Sequence, residues 1–312
     1  MFNKSKIVLW VEEYLFHPKS VFQRLLSYLL LPLSAIYCTI VMYKRFIAPK
    51  KPFTSKIPII SIGNLTVGGN GKTPLCITLA KEYQNVAIIL RGYGRGSHGL
   101  VLVSQEGQIK CDARASGDEA MLFAKSLPHA TVIVSEDRIE AITYAKTLGI
   151  RLIFLDDGFS KSHIAKFDIL VKPNPEPNNP FCLPSGPYRE PKFLYKKANL
   201  VVEEGVDFDR YVTVLNPTER MLLVTAISKP SRLDKYLPPN VIGKVTFRDH
   251  YIYREDELLE LLHSHNATSI LTTQKDAVKM SNFYIPLSIL ELEVKVSQNI
   301  KDHIKSFLAQ KR

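Results

Sequence analysis

An α/β fold built on a mostly parallel sheet is what this sequence predicts, and three observations predict it. Short apolar runs, IPIISIG (57–63), VAIIL (86–90) and RLIFL (151–155), are each followed by glycine-rich or acidic turn residues. Continuous apolar runs of this length suit strands buried on both faces, as in parallel sheets. Helical spacing follows the first run, with Leu75, Leu79 and Ala80 on one side. A second series of strand-like and helical segments begins near residue 212, which implies a smaller α/β unit after the first. The expected organisation is an arm over 1–56, a core over 57–215 and a C-terminal domain over 216–312.

The bulk composition allows a real core. The chain has 312 residues, and 46% of them are apolar. Cys38, Cys76, Cys111 and Cys182 are widely spaced and form no CxxC pair. They read as reduced, packed thiols rather than a zinc site or a disulfide frame. The net charge of +11 fits an acidic partner: anionic lipid, nucleic acid or a phosphorylated substrate. Residues 1–56 concentrate that charge, with nine lysines and arginines against Glu12 and Glu13.

Within the arm, residues 25–43 (LLSYLLLPLSAIYCTIVMY) carry no charge. A spanning helix needs about 20 apolar residues, so the segment is borderline. Ser27, Pro32, Ser34 and Thr39 weaken a clean span, whereas Tyr28, Tyr37 and Tyr43 suit a headgroup boundary. Three readings stand: a helix lying on or dipping into a membrane, a single span, or a buried helix of a soluble core. A signal peptide is not expected, because the apolar run starts late and no small-residue cleavage pattern follows.

Asn64-Leu-Thr-Val-Gly68-Gly69-Asn70-Gly71-Lys72-Thr73 follows the first strand and precedes the first helix. Strand, glycine-rich turn, Gly-Lys-Thr and helix is the context of a phosphate-binding loop. The glycines let backbone N–H groups face an anion, and the helix N-terminus adds partial positive charge. Lys72 can reach outer phosphates, and the Thr73 hydroxyl can hold Mg²⁺. The usual pattern has glycine where Thr66 stands, so a chance glycine turn is the competing reading.

The strand at 151–155 ends in Asp156-Asp157-Gly158-Phe159. A carboxylate at the end of an apolar strand, beside a phosphate loop, binds Mg²⁺ directly or through water. Ser116-Gly117-Asp118-Glu119 precedes a helical run and fits a capping box. The functional alternative makes Asp118 a base that accepts a hydroxyl proton. Arg91-Gly-Tyr-Gly-Arg95 is either a phosphate grip or a bland loop. After a proline-rich stretch from Pro173 to Pro180, Arg189 and Glu190 are candidates for nucleotide or substrate contact. Further on, Asp249-His250 follows a strand-like run, and Thr272-Thr-Gln-Lys-Asp276 is either a phosphate contact or a capped helix start.

Taken in order, these motifs resemble the lipid A 4'-kinases, or tetraacyldisaccharide 4'-kinases. The set includes Gly63-Asn64, Gly68-Gly69-x-Gly71-Lys72-Thr73-Pro74, Arg91-Gly-Tyr-Gly-Arg95, Gly117-Asp118-Glu119 and Asp156-Asp157-Gly158-Phe159. It continues with Pro184-x-Gly186-Pro187-x-Arg189-Glu190-Pro191, Phe247-x-Asp249-His250 and Thr272-Thr273-x-Lys275-Asp276. Upstream, residues 31–37 look like that family's N-terminal membrane helix. The double-glycine loop is the family's own form.

The resemblance implies a P-loop NTPase-like core, a smaller C-terminal α/β domain and an N-terminal membrane-associated helix. It implies transfer of the ATP γ-phosphate to the 4'-hydroxyl of an acylated glucosamine disaccharide 1-phosphate. By that resemblance Asp118 is the base, His250 its partner and Lys72 the phosphate ligand. Gly68, Gly69, Asn70, Gly71, Thr73, Glu119, Arg189 and Glu190 line the nucleotide cleft, while Thr73, Asp156 and Asp157 arrange Mg²⁺. The expected location is the cytoplasmic face of a bacterial inner membrane, with anionic lipid and not nucleic acid as the partner. Ser160-Lys161 departs from the family's usual Gln-His, which leaves Lys161 or His163 as substitutes. Another membrane-associated P-loop ATPase is the alternative activity.

Overall fold

The computed structural model describes residues 4–69, 71–227, 230–248 and 251–311. The fold is mixed α/β, with a large, mostly parallel sheet and a second, five-stranded sheet. Contacts divide the chain into two compact units. One holds residues 1–72, 157–207 and 298–312; the other holds 73–156 and 208–297.

In the first unit, strands Ile59–Gly63, Phe167–Lys172 and Leu200–Glu203 run parallel in that order. Every residue of Ile59–Gly63 is buried, as its unbroken apolar sequence requires. The helix Gln298–Ala309 returns to this unit, and its Phe307 ring lies 5.0 Å from that of Phe167.

The arm folds as helices Lys4–Phe16, Val21–Leu29 and Leu31–Phe46. Ser20 starts the second with a full capping box to Gln23. Pro32 sits in the first turn of the third, where its missing N–H does no harm. Lys44 and Arg45 occupy that helix's last turn and suit its dipole.

The second unit contains the strand order Gln108–Ile109, Val101–Gln105, Thr131–Val134, Val86–Leu90, Leu152–Asp156. The last three are parallel and wholly buried. Its other sheet runs Val241–Thr246, Met221–Thr225, Ser269–Thr273, Leu287–Val296, Phe208–Leu215, with only the last strand antiparallel. Helix Glu255–Ser264 packs Leu258 and Leu262 on this sheet. All four cysteines are free, Cys76 and Cys182 buried and Cys38 and Cys111 half-buried.

Candidate active site

The turn after Ile59–Gly63 is shaped by two glycines. Gly68 and Gly71 have φ of +88° and +81°, a region that an L side chain rarely enters. The chain then enters helix Lys72–Ala80. Thr66 takes no such conformation. It pairs as an antiparallel bridge with Tyr188, and Val67 N–H donates to Pro187 O at 2.8 Å. That extended pairing explains why a side chain is tolerated where the usual pattern has glycine.

The partner segment, 182–190, carries Arg189 and Glu190. Arg189 N–H donates to Leu65 O at 2.7 Å, which locks the two stretches together. The Arg189 guanidinium grips both Asp157 oxygens, at 2.9 and 3.0 Å, and donates to Asn64 Oδ1 at 2.6 Å. Lys72 Nζ donates to the same Asn64 oxygen at 2.8 Å and lies 3.7 Å from Asp157 Oδ1. Asn64 thus joins Lys72, Arg189 and Asp157 into one network. Sequence reasoning singled out the three charged residues but gave Asn64 no role; its place directly after the buried strand was the available signal.

Asp157 has φ of +53° while its N–H donates to Ile62 O at 2.9 Å. A non-glycine residue in this region stores strain that neighbours must over-determine, a common feature of functional sites. Gly158 and Phe159 follow, and a Cβ on Gly63 would meet Phe159 Cβ at 3.0 Å.

Glu190 is only 8% exposed. Arg45, from the last turn of the arm's third helix, donates to it through Nε at 2.8 Å and also through a terminal nitrogen. The same guanidinium lies 4.5 Å over the Phe159 ring. Burial pushes the Glu190 carboxyl above its usual range, and Arg45 opposes that shift. Tyr37, Arg45, Asn64, Phe159, Lys161 and His163 line an open cavity of about 370 Å³ beside Asp157 and Arg189. Both candidate substitutes for the family's Gln-His pair therefore face that space.

In the second unit, Thr73 is the second residue of helix Lys72–Ala80, and buried Asp156 ends strand Leu152–Asp156. Burial raises the Cys76 thiol far above its usual range, and the Asp156 charge adds to that. Hydroxyl and carboxylate oxygens at Thr73, Asp156 and Asp157 are the hard donors that Mg²⁺ prefers. Asp157 is engaged by Arg189 and Lys72.

Asp118 begins helix Asp118–Ser126. The capping box considered for Ser116 and Glu119 does not form. Ser116 ends the preceding short helix Ala113–Ser116, and Gly117, with φ of +86°, is the cap. Asp118 instead meets Lys279 Nζ at 3.0 Å, and Glu119 points outward in the first turn. Arg95 is removed from phosphate duty: its side chain is 2% exposed, bound to Glu136 and Gly99 O at 2.6 Å each. Arg91 remains exposed. Thr273 caps the next helix by accepting from Asp276 N–H at 3.2 Å, which is the capped-start reading of that motif. Asn70 and His250 lie outside the described residues.

Known proteins match nearly the whole chain. A profile described as tetraacyldisaccharide-1-P 4'-kinase (LpxK) matches residues 26–213 and 209–311. The chain is 54% identical to the tetraacyldisaccharide 4'-kinase of Aliarcobacter butzleri over 304 residues, 95% of this chain and 96% of that one. It is 46% identical to the Helicobacter pylori (strain J99) protein of the same name, covering 96% and 95%. Among solved structures it resembles LpxK from Aquifex aeolicus in complex with ATP. There the TM-score is 0.76 at 29% identity, over 91% of this chain and 99% of that one.

The fold and these matches define an α/β kinase. Within that class, the chain belongs to the tetraacyldisaccharide-1-phosphate 4'-kinase family.

Proposed function

We propose that this protein transfers the γ-phosphate of ATP to the 4'-hydroxyl of a tetraacyldisaccharide 1-phosphate, a step of lipid A biosynthesis. The observation that carries it is the 54% identity to a tetraacyldisaccharide 4'-kinase across 95% of the chain.

On this reading the glycine turn is a phosphate loop, and the ATP phosphates lie against its N–H groups and the start of helix Lys72–Ala80. Lys72 is held by Asn64 and Asp157, so its charge is balanced and positioned. Asp118 takes the proton of the 4'-hydroxyl as that oxygen bonds to the γ-phosphorus. The bond from phosphorus to the β–γ bridging oxygen breaks, and ADP leaves with its electron pair. Thr73, Asp156 and, through water, Asp157 would hold Mg²⁺, which supplies charge neutralisation on the phosphate oxygens. Glu119, Arg189 and Glu190 serve the nucleotide cleft, Glu190 through the Arg45 pair. His250 pairs with Asp118. The functional divisions are the arm (1–56), the kinase core (57–215) and the C-terminal domain (216–312).

The arm supports a peripheral or monotopic place on the cytoplasmic face of the inner membrane. Among the described residues no single helix is long and apolar enough to cross a membrane; Val21–Leu29 and Leu31–Phe46 pass that test only together, bent by 51°. The exposed side of this pair is apolar, with Phe22, Leu25, Leu29, Leu33, Ile36 and Ile40 all in the open. The pair's fully buried side chains are polar, Gln23, Ser27 and Ser34, while Tyr37, Cys38 and Met42 pack on the core from part-buried positions. Ser27 Oγ donates to Ser185 O at 2.7 Å, and Ser34 Oγ donates to Cys182 O at 2.9 Å. An apolar face turned outward and flanked by Lys19, Arg24, Lys44, Lys50 and Lys51 suits an anionic lipid surface.

The test is transfer of γ-labelled phosphate from ATP to the disaccharide 1-phosphate in mixed micelles, for wild type and Lys72→Ala. Labelled lipid with wild type alone is expected. ATP hydrolysis without labelled lipid sinks the proposal in favour of an ATPase.

A further inference from the structure

Lys279 has no role in the scheme above, yet it occupies an unusual place. Its side chain is 9% exposed, and its ammonium lies 3.0 Å from Asp118 Oδ2 and 3.6 Å from Asp276 Oδ1. Asp276 is fully buried and immobilised: its Oδ2 accepts from Thr225 Oγ1 at 2.7 Å, Thr273 Oγ1 at 3.0 Å and Ala226 N–H at 3.1 Å. The Tyr253 ring stands 5.8 Å from the same ammonium. Burial, with the charge of Asp276 next, keeps the Tyr253 hydroxyl neutral far above the usual phenol range.

We propose that Lys279 is a positioning residue for the reaction, holding the Asp118 carboxylate at a fixed rotamer, with Asp276 as the buried anchor of that lysine. The inference rests on the reading of Asp118 as the base.

Charge arithmetic favours this arrangement. Two carboxylates and one ammonium carry one net negative charge while Asp118 is ionised. When Asp118 accepts the sugar proton, the cluster becomes neutral. A buried ammonium facing a single carboxylate would leave a net positive charge at that moment and would oppose proton uptake. Asp276 removes that opposition while Lys279 retains its hold on the Asp118 rotamer. Asp276 and Lys279 are three residues apart, so Asp276 backs the ammonium that Lys279 presents to Asp118. Among the described residues, the charged or titratable groups near Asp118 include Lys279, Asp276 beyond it and Tyr253, with Glu119 next in the chain.

The experiment compares Lys279→Met, Lys279→Arg, Asp118→Asn and the double variant Asp118→Asn/Lys279→Met in the micelle assay, with thermal melts to confirm folding. Lys279→Met is expected to lower kcat about 10–100-fold, below the range of about 100–10,000-fold typical for an acid–base group itself. KM for ATP stays within about twofold. The acid limb of the kcat/KM profile moves to higher pH, because a carboxylate without its cation keeps its proton longer. Lys279→Arg restores most of the rate and returns the limb. The double variant loses no more than Asp118→Asn, since a residue acting through another adds nothing once that one is gone. A kcat within about threefold of wild type for Lys279→Met, or a loss with the acid limb unmoved and multiplicative in the double variant, overturns the inference. If Lys279→Met fails to fold, Lys279→Gln is read against the same criteria. A fully active Asp118→Asn overturns the base reading itself, which the four-variant set separates from failure of Lys279 alone.

Discussion

Replacing Arg45 by methionine tests the coupling of the arm to the segment 182–190. Arg45 and Glu190 have side chains only 15% and 10% exposed, so their pair is shielded from solvent. Methionine keeps most of the apolar stem but leaves Glu190 buried without its cation. Breaking a buried pair from one side costs about 3–5 kcal/mol. The lost stacking on Phe159 adds about 0.5–1 kcal/mol, and the lost bond to Phe159 O about 1 kcal/mol. The uncompensated carboxylate therefore dominates.

That conclusion fixes a pH signature. Glu190 already has a raised carboxyl pKa, and removing the cation that opposes the shift raises it further. A group with a raised carboxyl pKa binds protons more tightly in the folded state than in the unfolded one. Stability then falls as pH rises from the unfolded value, about 4.3, through the folded value. The deficit of Arg45→Met should accordingly be largest near pH 8 and shrink towards pH 5. Urea unfolding of both proteins at the two pH values measures it. Adding Glu190→Gln to Arg45→Met should recover most of the loss at pH 8. A deficit equal at both pH values, or a double variant no more stable than Arg45→Met, would refute the reasoning.

Other expectations follow from individual contacts. Ser34→Ala removes an acceptor for Ser185 N–H at 3.0 Å and a donor to Cys182 O, and should cost about 1–3 kcal/mol in urea unfolding. Ile36→Glu with Ile40→Glu places two charges on the outward apolar face. Flotation with anionic vesicles should fall several-fold while the melting temperature holds, and unchanged flotation would dissociate this face from lipid. Gly186→Ala would put a Cβ 2.4 Å from Phe181 O and 2.6 Å from Asn179 Oδ1. The 179–190 segment must shift, at about 1–3 kcal/mol, and limited proteolysis should cut there faster. Asp118→Asn should lower kcat about 100–10,000-fold with ATP affinity retained, measured by single turnover and equilibrium binding.

Much of the fold was legible because local chemistry dictates it. The strands Ile59–Gly63, Val86–Leu90 and Leu152–Asp156 are apolar throughout because both faces are buried, and a period-free apolar run records that directly. The glycine turn was readable because Gly68 and Gly71 adopt backbone angles few other residues tolerate. Ser116 and Glu119 misled for a related reason: the spacing of a capping box was present, but Gly117 had already turned the chain. Spacing cannot say which neighbour takes the cap.

The sequence by itself determined the mixed α/β class, the positions of the lysine, hydroxyl and acid pair, and the charge and apolarity of the arm. These are properties of contiguous residues. Tertiary structure alone decided which distant residues became partners. Asn64 joins Lys72 to Arg189, 125 residues from Asn64 in the chain. Lys279 reaches back to Asp118, and Arg45 to Glu190. It also reversed the meaning of Ser27 and Ser34, which argue against a membrane helix in the sequence but face protein in the fold. The physical reason is common to all of these. A buried charge or hydroxyl must find a partner, and which partner depends on the packing of segments that the linear order holds far apart.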